Sequence, residues 1–320
     1  MKNGRSPAGG GWQRLRRPKA IHGSRSFLKR VSAATFRRNG SRACGFGSTE
    51  LVALERRKGC GASNLILSLT PAELANGVVA FSSGNHAQAT AIAAQHVGAA
   101  ATIVMPEDAP RSKMDPTRAL GARIVTYNRL TDDREAIAAQ VISETGATLV
   151  PPYDHPLIAS GQGTAALELL EEHPGLDALV VCIGGGGLIA GSATIAKSLR
   201  PGIRVFGVEP ELADDTFQSL AKGERVTIPP PDTIADGLRS PSPGKITFPI
   251  IQNHVEKILL VTEDEIRATV RFLLERMKIL VEPSGAVAPA AVLFGKLPPG
   301  IKTAGVVISG GNLDLSFFAA

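Results

Sequence analysis

From about residue 76 the chain alternates short apolar runs with helix-length segments, and that alternation admits few architectures. Val78–Phe81, Ala101–Met105, Ile124–Tyr127, Thr148–Val150, Ala178–Ile183, Val205–Val208 and Val306–Ser309 read as strands. Helices are predicted from His86 to about Val97, from Asp132 to Thr145, and across Leu167–Leu170. Thr262-Glu263-Asp264-Glu265 has the form of a capping box, in which hydroxyl and carboxylate satisfy each other's backbone N–H groups, opening a helix to about Lys278. Strands joined through helices of this length run parallel and need both faces covered, so the fold class is α/β with open sheets.

Ligands of open α/β sheets bind at the carboxyl ends of the strands. Four unusual stretches lie there. Ser82-Ser83-Gly84-Asn85-His86 enters a helix; it is either a plain N-cap with a tight turn or a loop offering N–H groups, a hydroxyl and an amide to an anion. Gly184-Gly185-Gly186-Gly187-Leu188 frees the backbone to curl amides around an anion at the next helix N-terminus, and phosphate binding is the favoured reading. Ser309-Gly310-Gly311-Asn312 follows the last strand and reads equally well as an ordinary glycine turn. Glu209 with Asp214 and Asp215 is either a solvated acidic loop or a source of hard oxygen ligands for Mg²⁺ or Ca²⁺.

Taken alone, Gly185-x-Gly187-x-x-Ala190 after a strand, with Glu209 ending the next strand, is also a passable dinucleotide fingerprint. An NAD-dependent oxidoreductase is therefore an alternative on that motif.

Together with Gly161-Gln162-Gly163-Thr164, Thr233-Ile234-Ala235-Asp236-Gly237 and Glu282-Pro283-Ser284-Gly285, these stretches resemble the serine/threonine dehydratase family. That family belongs to the fold type II (tryptophan synthase β-like) pyridoxal-phosphate (PLP) enzymes and includes serine racemases and 3-hydroxyaspartate dehydratases. The resemblance covers about residues 58–318 and explains many ordered motifs where the NAD reading explains one. It implies two open α/β domains with the cofactor between them: a large one from 58–76 and 151–320, and a small one from 77–150. It implies PLP-dependent dehydration and deamination of a small L-hydroxy-amino acid such as threonine or serine. Racemisation of serine and dehydration of 3-hydroxyaspartate are the alternatives within the family.

The same resemblance assigns roles. Lys58 is the Schiff-base lysine and the base on one face, and Ser83 is the acid/base on the other. Asn85 meets the PLP 3′-oxygen, the amides of Gly184, Gly185, Gly186, Gly187 and Leu188 hold the phosphate, and Ser309 faces the pyridine nitrogen. Ser82, Ser83, Gly84, Asn85 and His86 hold the substrate carboxylate, with Arg134 a further candidate. Glu209, Asp215 and the Ala213 carbonyl are the implied cation ligands. A small-molecule substrate and a homodimer are expected, with neither nucleic acid nor membrane as partner.

Charge divides the chain. Residues 1–60 hold 15 Lys/Arg against 2 Asp/Glu, whereas the other 260 hold 20 against 27. The basic excess thus belongs to a Gly/Arg/Ser-rich N-terminal segment, read as disordered over 1–57. A nucleic-acid arm or a transit peptide would add length to the family's N-terminal strands, which are not recognisable here. The expectation is an N-terminus replaced by a foreign sequence, and with it a catalytically impaired homologue as a further alternative. Cys44, Cys60 and Cys182 have no Cys-x-x-Cys spacing, and no apolar run approaches the roughly 20 residues of a membrane span, so a cytoplasmic protein is expected.

Overall fold

The computed structural model describes Ala34–Phe36, Glu50–Glu55 and residues 59–318 without Ser83, Pro110 and Arg129, all within the unit Ser32–Ala320. Strands β1 (Ala34–Phe36) and β2 (Glu50–Glu55) precede helices α1 (Gly59–Ile66) and α2 (Pro71–Asn76). Then come β3 (Val78–Phe81), α3 (Asn85–His96), β4 (Ala101–Pro106), α4 (Arg111–Ala119), β5 (Arg123–Tyr127), α5 (Arg134–Thr145) and β6 (Thr148–Leu149). α6 (Pro156–Glu172), β7 (Ala178–Cys182), α7 (Gly187–Leu199), β8 (Arg204–Pro210) and α8 (Asp215–Lys222) follow. A 3₁₀ turn at Asp236–Leu238 leads to α9 (Thr247–His254), β9 (Lys257–Val261), α10 (Glu263–Phe272), α11 (Pro283–Leu293) and β10 (Thr303–Ile308).

Two sheets result, with orders β1-β2-β10-β7-β8-β9 and β5-β4-β3-β6. Every pairing is parallel except β1 with β2. The fold is thus α/β with parallel sheets, as the alternation implied, and of the tryptophan synthase β-like class that the family resemblance implied. β7 is buried at all five positions, as a strand covered on both faces must be. Phe206, Val208, Leu259 and Val306 pack with the apolar α11 over one large-sheet face. In the four-stranded sheet, the alanines of α3 lie on Ile103 and Met105. Ala138 and Val141 of α5 cover Val79, Val104 and Tyr127.

The capping box forms as expected: Glu265 N donates to Thr262 Oγ1 at 3.2 Å and Thr262 N to Glu265 Oε2 at 2.8 Å. The helix it opens is regular only to Phe272, then widens into one π turn (Leu273–Met277) that stops at Lys278, whose φ of 60° is left-handed. β9 went unforeseen; it is an edge strand paired with β8 alone.

The N-terminal expectation needs correction where β1 and β2 are concerned. β2 extends the large sheet in parallel register with β10, from Glu50 beside Thr303 to Glu55 beside Ile308. Its apolar run, Leu51-Val52-Ala53-Leu54, is four residues long and bracketed by glutamates within a basic, glycine-rich stretch. Neither periodicity nor composition could lift it out of that background. The rest of residues 1–58 lies outside the described residues.

The Gly161-Gln162-Gly163 motif turns out to set helix spacing. A Cβ on Gly161 would stand 2.5 Å from the Cys60 carbonyl oxygen, and one on Gly163 would stand 2.7 Å from that of Gly191. Backbone therefore meets backbone where α6 crosses α1 and α7. Among the described residues no helix is long and apolar enough to cross a membrane.

Candidate active site

One cleft opens where strands of both sheets end. Phe81, Ser82, Gly84, Asn85 and His86 line it from the small-sheet side, and Cys182 and Gly184 to Leu188 from the large-sheet side.

The glycine loop follows directly from β7. A Cβ on Gly185 would fall 2.3 Å from ring carbons of Tyr153, and Gly187 lies against the Tyr153 backbone. Gly186 has φ 92°, and a Cβ there would sit 2.7 Å from Thr247 Oγ1. No side chain fits along this turn, which leaves only backbone to face a ligand. The Gly185 carbonyl accepts from Thr247 Oγ1 (2.7 Å) and Gly244 N (3.1 Å). Its peptide is trans, so the Gly186 N–H points the opposite way, away from Thr247. Asp154 braces this arrangement by accepting the Lys245 and Ile246 amides at 2.9 and 2.8 Å. The loop thus has the build of a phosphate cradle at the N-terminus of α7.

The Ser82–His86 loop runs from β3 into α3. Ser82 Oγ accepts from Gly84 N at 3.3 Å, which tightens the turn. The His86 ring is committed elsewhere: its Nε2 lies 2.9 Å from the Val150 carbonyl oxygen. What His86 brings to the cleft is therefore the first turn of α3 rather than its imidazole. Asn85 Nδ2 donates to Glu282 Oε1 at 2.5 Å, and Asn85 Oδ1 accepts from Asn312 Nδ2. Ser309 is buried behind the cleft wall, its Oγ 3.3 Å from the Sγ of Cys182. Arg134 opens α5 and lays its guanidinium over the Phe81 ring, 5.2 Å from the centroid, which holds the charge at the cleft margin. Lys58 and Ser83 lie outside the described residues.

Sequence reasoning missed several lining groups. Lys113 of α4 forms an ion pair with Asp236, bridging one sheet's helices to the other's loops. Tyr153, Arg239 and Ser240 also line the cleft, and Ser240 Oγ donates to Tyr153 Oη at 3.3 Å. Asp236 and Glu282 stood in motifs noted for resemblance without a role, a usable signal. Lys113 carried none.

Glu209 and Asp215 are both fully buried. Glu209 accepts the Thr216 and Phe217 amides at 3.2 and 2.9 Å, and burial, then the neighbouring Asp215 charge, push its carboxyl well above the usual range. That burial removes it from any ribose-binding role, which disposes of the dinucleotide fingerprint. Among the described residues neither Asp215 oxygen has a hydrogen-bond partner, and burial pushes the carboxyl up to about 8. Two neighbouring buried carboxyls, of which Asp215 has both oxygens unclaimed, suit a hard cation. Among the described residues no group of three or more His, Cys, Asp or Glu side chains could hold a metal, so a third ligand here would be backbone, as Ala213 is.

Comparison with known proteins agrees with this geometry. The profile of the family described as "Pyridoxal-phosphate dependent enzyme" matches residues 58–310. The L-threo-3-hydroxyaspartate ammonia-lyase of Saccharomyces cerevisiae is 49% identical over 259 residues, 81% of this chain and 79% of that protein. The serine racemase of Schizosaccharomyces pombe is 46% identical over 259 residues, 81% of this chain and 80% of that protein. The solved structure of the processed form of threonine deaminase isoform 2 from Solanum lycopersicum superposes with a TM-score of 0.78 at 34% identity, covering 84% of this chain and 82% of that one.

Proposed function

Because the chain belongs to the family of pyridoxal-phosphate-dependent enzymes, we propose that it is an ammonia-lyase converting a small L-hydroxy-amino acid to a 2-oxo acid and ammonia. The observation that carries this reading is the meeting, in one cleft, of a glycine cradle with no room for side chains and the first turn of α3. Of the candidate substrates, 3-hydroxyaspartate stands ahead of threonine and serine. It bears two carboxylates, and Arg134 and Arg239 line the cleft beside the Lys113–Asp236 ion pair. Similarity to an L-threo-3-hydroxyaspartate ammonia-lyase supports the same order.

Bound here, the cofactor supplies an electron sink for breaking the Cα–H bond. The Gly184–Leu188 amides would hold its phosphate, Asn85 would donate to its 3′-oxygen, and Ser309 would serve its ring nitrogen. Accepting from Cys182 leaves the Ser309 hydroxyl proton to be donated. A hydroxyl there, unlike a carboxylate, does not force that nitrogen to stay protonated, which suits β-elimination. Ser82 and the first turn of α3 orient the substrate α-carboxylate, with Arg134 at the margin for its second charge. Lys58 Nζ would anchor the cofactor and take the Cα proton on one face. Ser83 Oγ serves the other.

Serine racemisation is the second reading, supported by the fission-yeast relative. It shares Cα–H cleavage but returns the proton and keeps the β-hydroxyl. A coupled 2-oxo-acid assay separates the two. Oxaloacetate and ammonia are expected from L-threo-3-hydroxyaspartate, faster than pyruvate from serine or 2-oxobutyrate from threonine. Inversion of serine with no keto acid from any of the three overturns the lyase reading.

We further propose that Glu209, Asp215 and the Ala213 carbonyl hold Mg²⁺ or Ca²⁺ as a structural ion. A cation at 100 times its Kd stabilises the fold by about 2.7 kcal/mol, so either ion should raise the melting temperature. Asp215→Ala should abolish that response. Because it also deletes an unpartnered buried acid, it should melt no lower than the parent in cation-free buffer. A variant that still responds to the ions places them elsewhere.

A further inference from the structure

The Glu282-Pro283-Ser284-Gly285 motif has no role in the chemistry above, yet its first residue lies where two other motifs meet, the loop after β3 and the loop after β10. Glu282 is only 2% exposed and lines the cleft from the N-cap of α11. Its Oε1 accepts from Asn85 Nδ2 at 2.5 Å, and its Oε2 accepts from the Asn312 backbone N–H at 3.2 Å. A Cβ on Gly310 would stand 2.1 Å from Glu282 Oε1, so the glycine after Ser309 is the space this carboxyl occupies. The other end of the Asn85 amide is also claimed: its Oδ1 accepts from Asn312 Nδ2, which reaches Gln88 Oε1 at 3.2 Å as well.

The consequence for Asn85 is orientational. An amide group has two N–H donors and one carbonyl oxygen. With one N–H on Glu282 and the oxygen on Asn312, the group cannot flip, and its second N–H is the remaining donor. We propose that Glu282, with Asn312, is the positioning device that fixes this amide so that its free N–H meets the cofactor 3′-oxygen. The inference rests on the functional reading above for the identity of that oxygen. Glu282 does this only with two acceptor oxygens. A glutamine has one, so in Glu282→Gln either Asn85 or the Asn312 N–H faces another donor.

The test is a double-mutant cycle read by PLP affinity and by the visible absorbance of the bound cofactor, which responds to what hydrogen-bonds its 3′-oxygen. Glu282→Gln and Asn85→Ala should each weaken PLP binding by about tenfold, the scale of one lost charge-assisted hydrogen bond. They should move the absorbance in the same direction. The double variant should bind no more weakly than Asn85→Ala, because the two residues act as one. Asn312→Ala, an exposed position that leaves the buried carboxyl in place, should reproduce the absorbance change should Glu282→Gln fail to fold. Additive losses, or an absorbance unmoved by both Glu282→Gln and Asn312→Ala, overturn the positioning role while PLP binding by the parent stands. A parent protein that takes up no PLP overturns the functional reading and this inference together.

Discussion

A single methyl group at position 191 should cost this protein about 3 kcal/mol of stability or more, the upper end of what overpacking does. A Cβ on Gly191 would stand 1.8 Å from the Ala159 carbonyl oxygen and 2.7 Å from the Gly163 nitrogen. Neither is the end of a flexible side chain, so α6 and α7 must move apart. α6 also packs on α1 through Gly161, and α7 begins at the glycine cradle, so the displacement reaches both. Urea denaturation of Gly191→Ala should show the loss, with weakened PLP affinity beside it. Gly175→Ala is the control: nothing lies within 4 Å of its Cβ position, and its stability should stay within about 0.5 kcal/mol of the parent. Equal effects at the two positions would mean that the α6–α7 crossing is not set by backbone contact.

That crossing also marks where sequence reasoning reached its limit. Gly161-Gln162-Gly163-Thr164 was visible as a motif, but nothing along the chain says that Gly163 faces Gly191. The strands were legible because parallel strands buried on both faces read as short apolar runs, as Val78–Phe81 and Ala178–Cys182 do. The loops after them were legible because tight backbone needs glycine. β2 was not, since its four apolar residues sit in a segment whose charge pointed elsewhere.

In the cleft the division is the same. Gly184–Gly187 announces itself locally, whereas Lys113 with Asp236 and Asn85 with Glu282 pair across 123 and 197 residues. Side chains that become a site only when two sheets meet leave no periodic or compositional trace. A motif such as Glu282-Pro283-Ser284-Gly285 shows that a position matters without showing what it touches. The cation ligands fall between these cases. Three carboxylates in seven residues were legible as a cluster, but the burial of Glu209 and Asp215 was not, and burial is what separates a candidate metal site from a solvated loop.

Replacing Lys58 with alanine should have the largest effect on turnover, about 10²–10⁴-fold for the loss of a positioned proton-transfer group alone. The described chain on either side of it converges on the cleft. Glu55 at the end of β2 pairs with Ile308, the residue before Ser309. Gly61 in α1 packs against Gln162, which lines the cleft. Another lysine provides the competing outcome. Lys113 lines the same cleft, but its ammonium is paired with Asp236 and so is poorly suited to attack a carbonyl. Borohydride reduction of the PLP-loaded protein, followed by peptide mapping, should place the pyridoxyl group on Lys58. Lys58→Ala should lose both that label and the visible cofactor band. Asp236→Asn, which frees the Lys113 ammonium, should leave the label on Lys58. Label on Lys113 in the parent would put the anchor on α4 instead. A folded parent that labels nowhere would mean that the basic segment ahead of Lys58 has cost the chain its cofactor. β2 would then hold its place between β1 and β10 without delivering the lysine that should follow it.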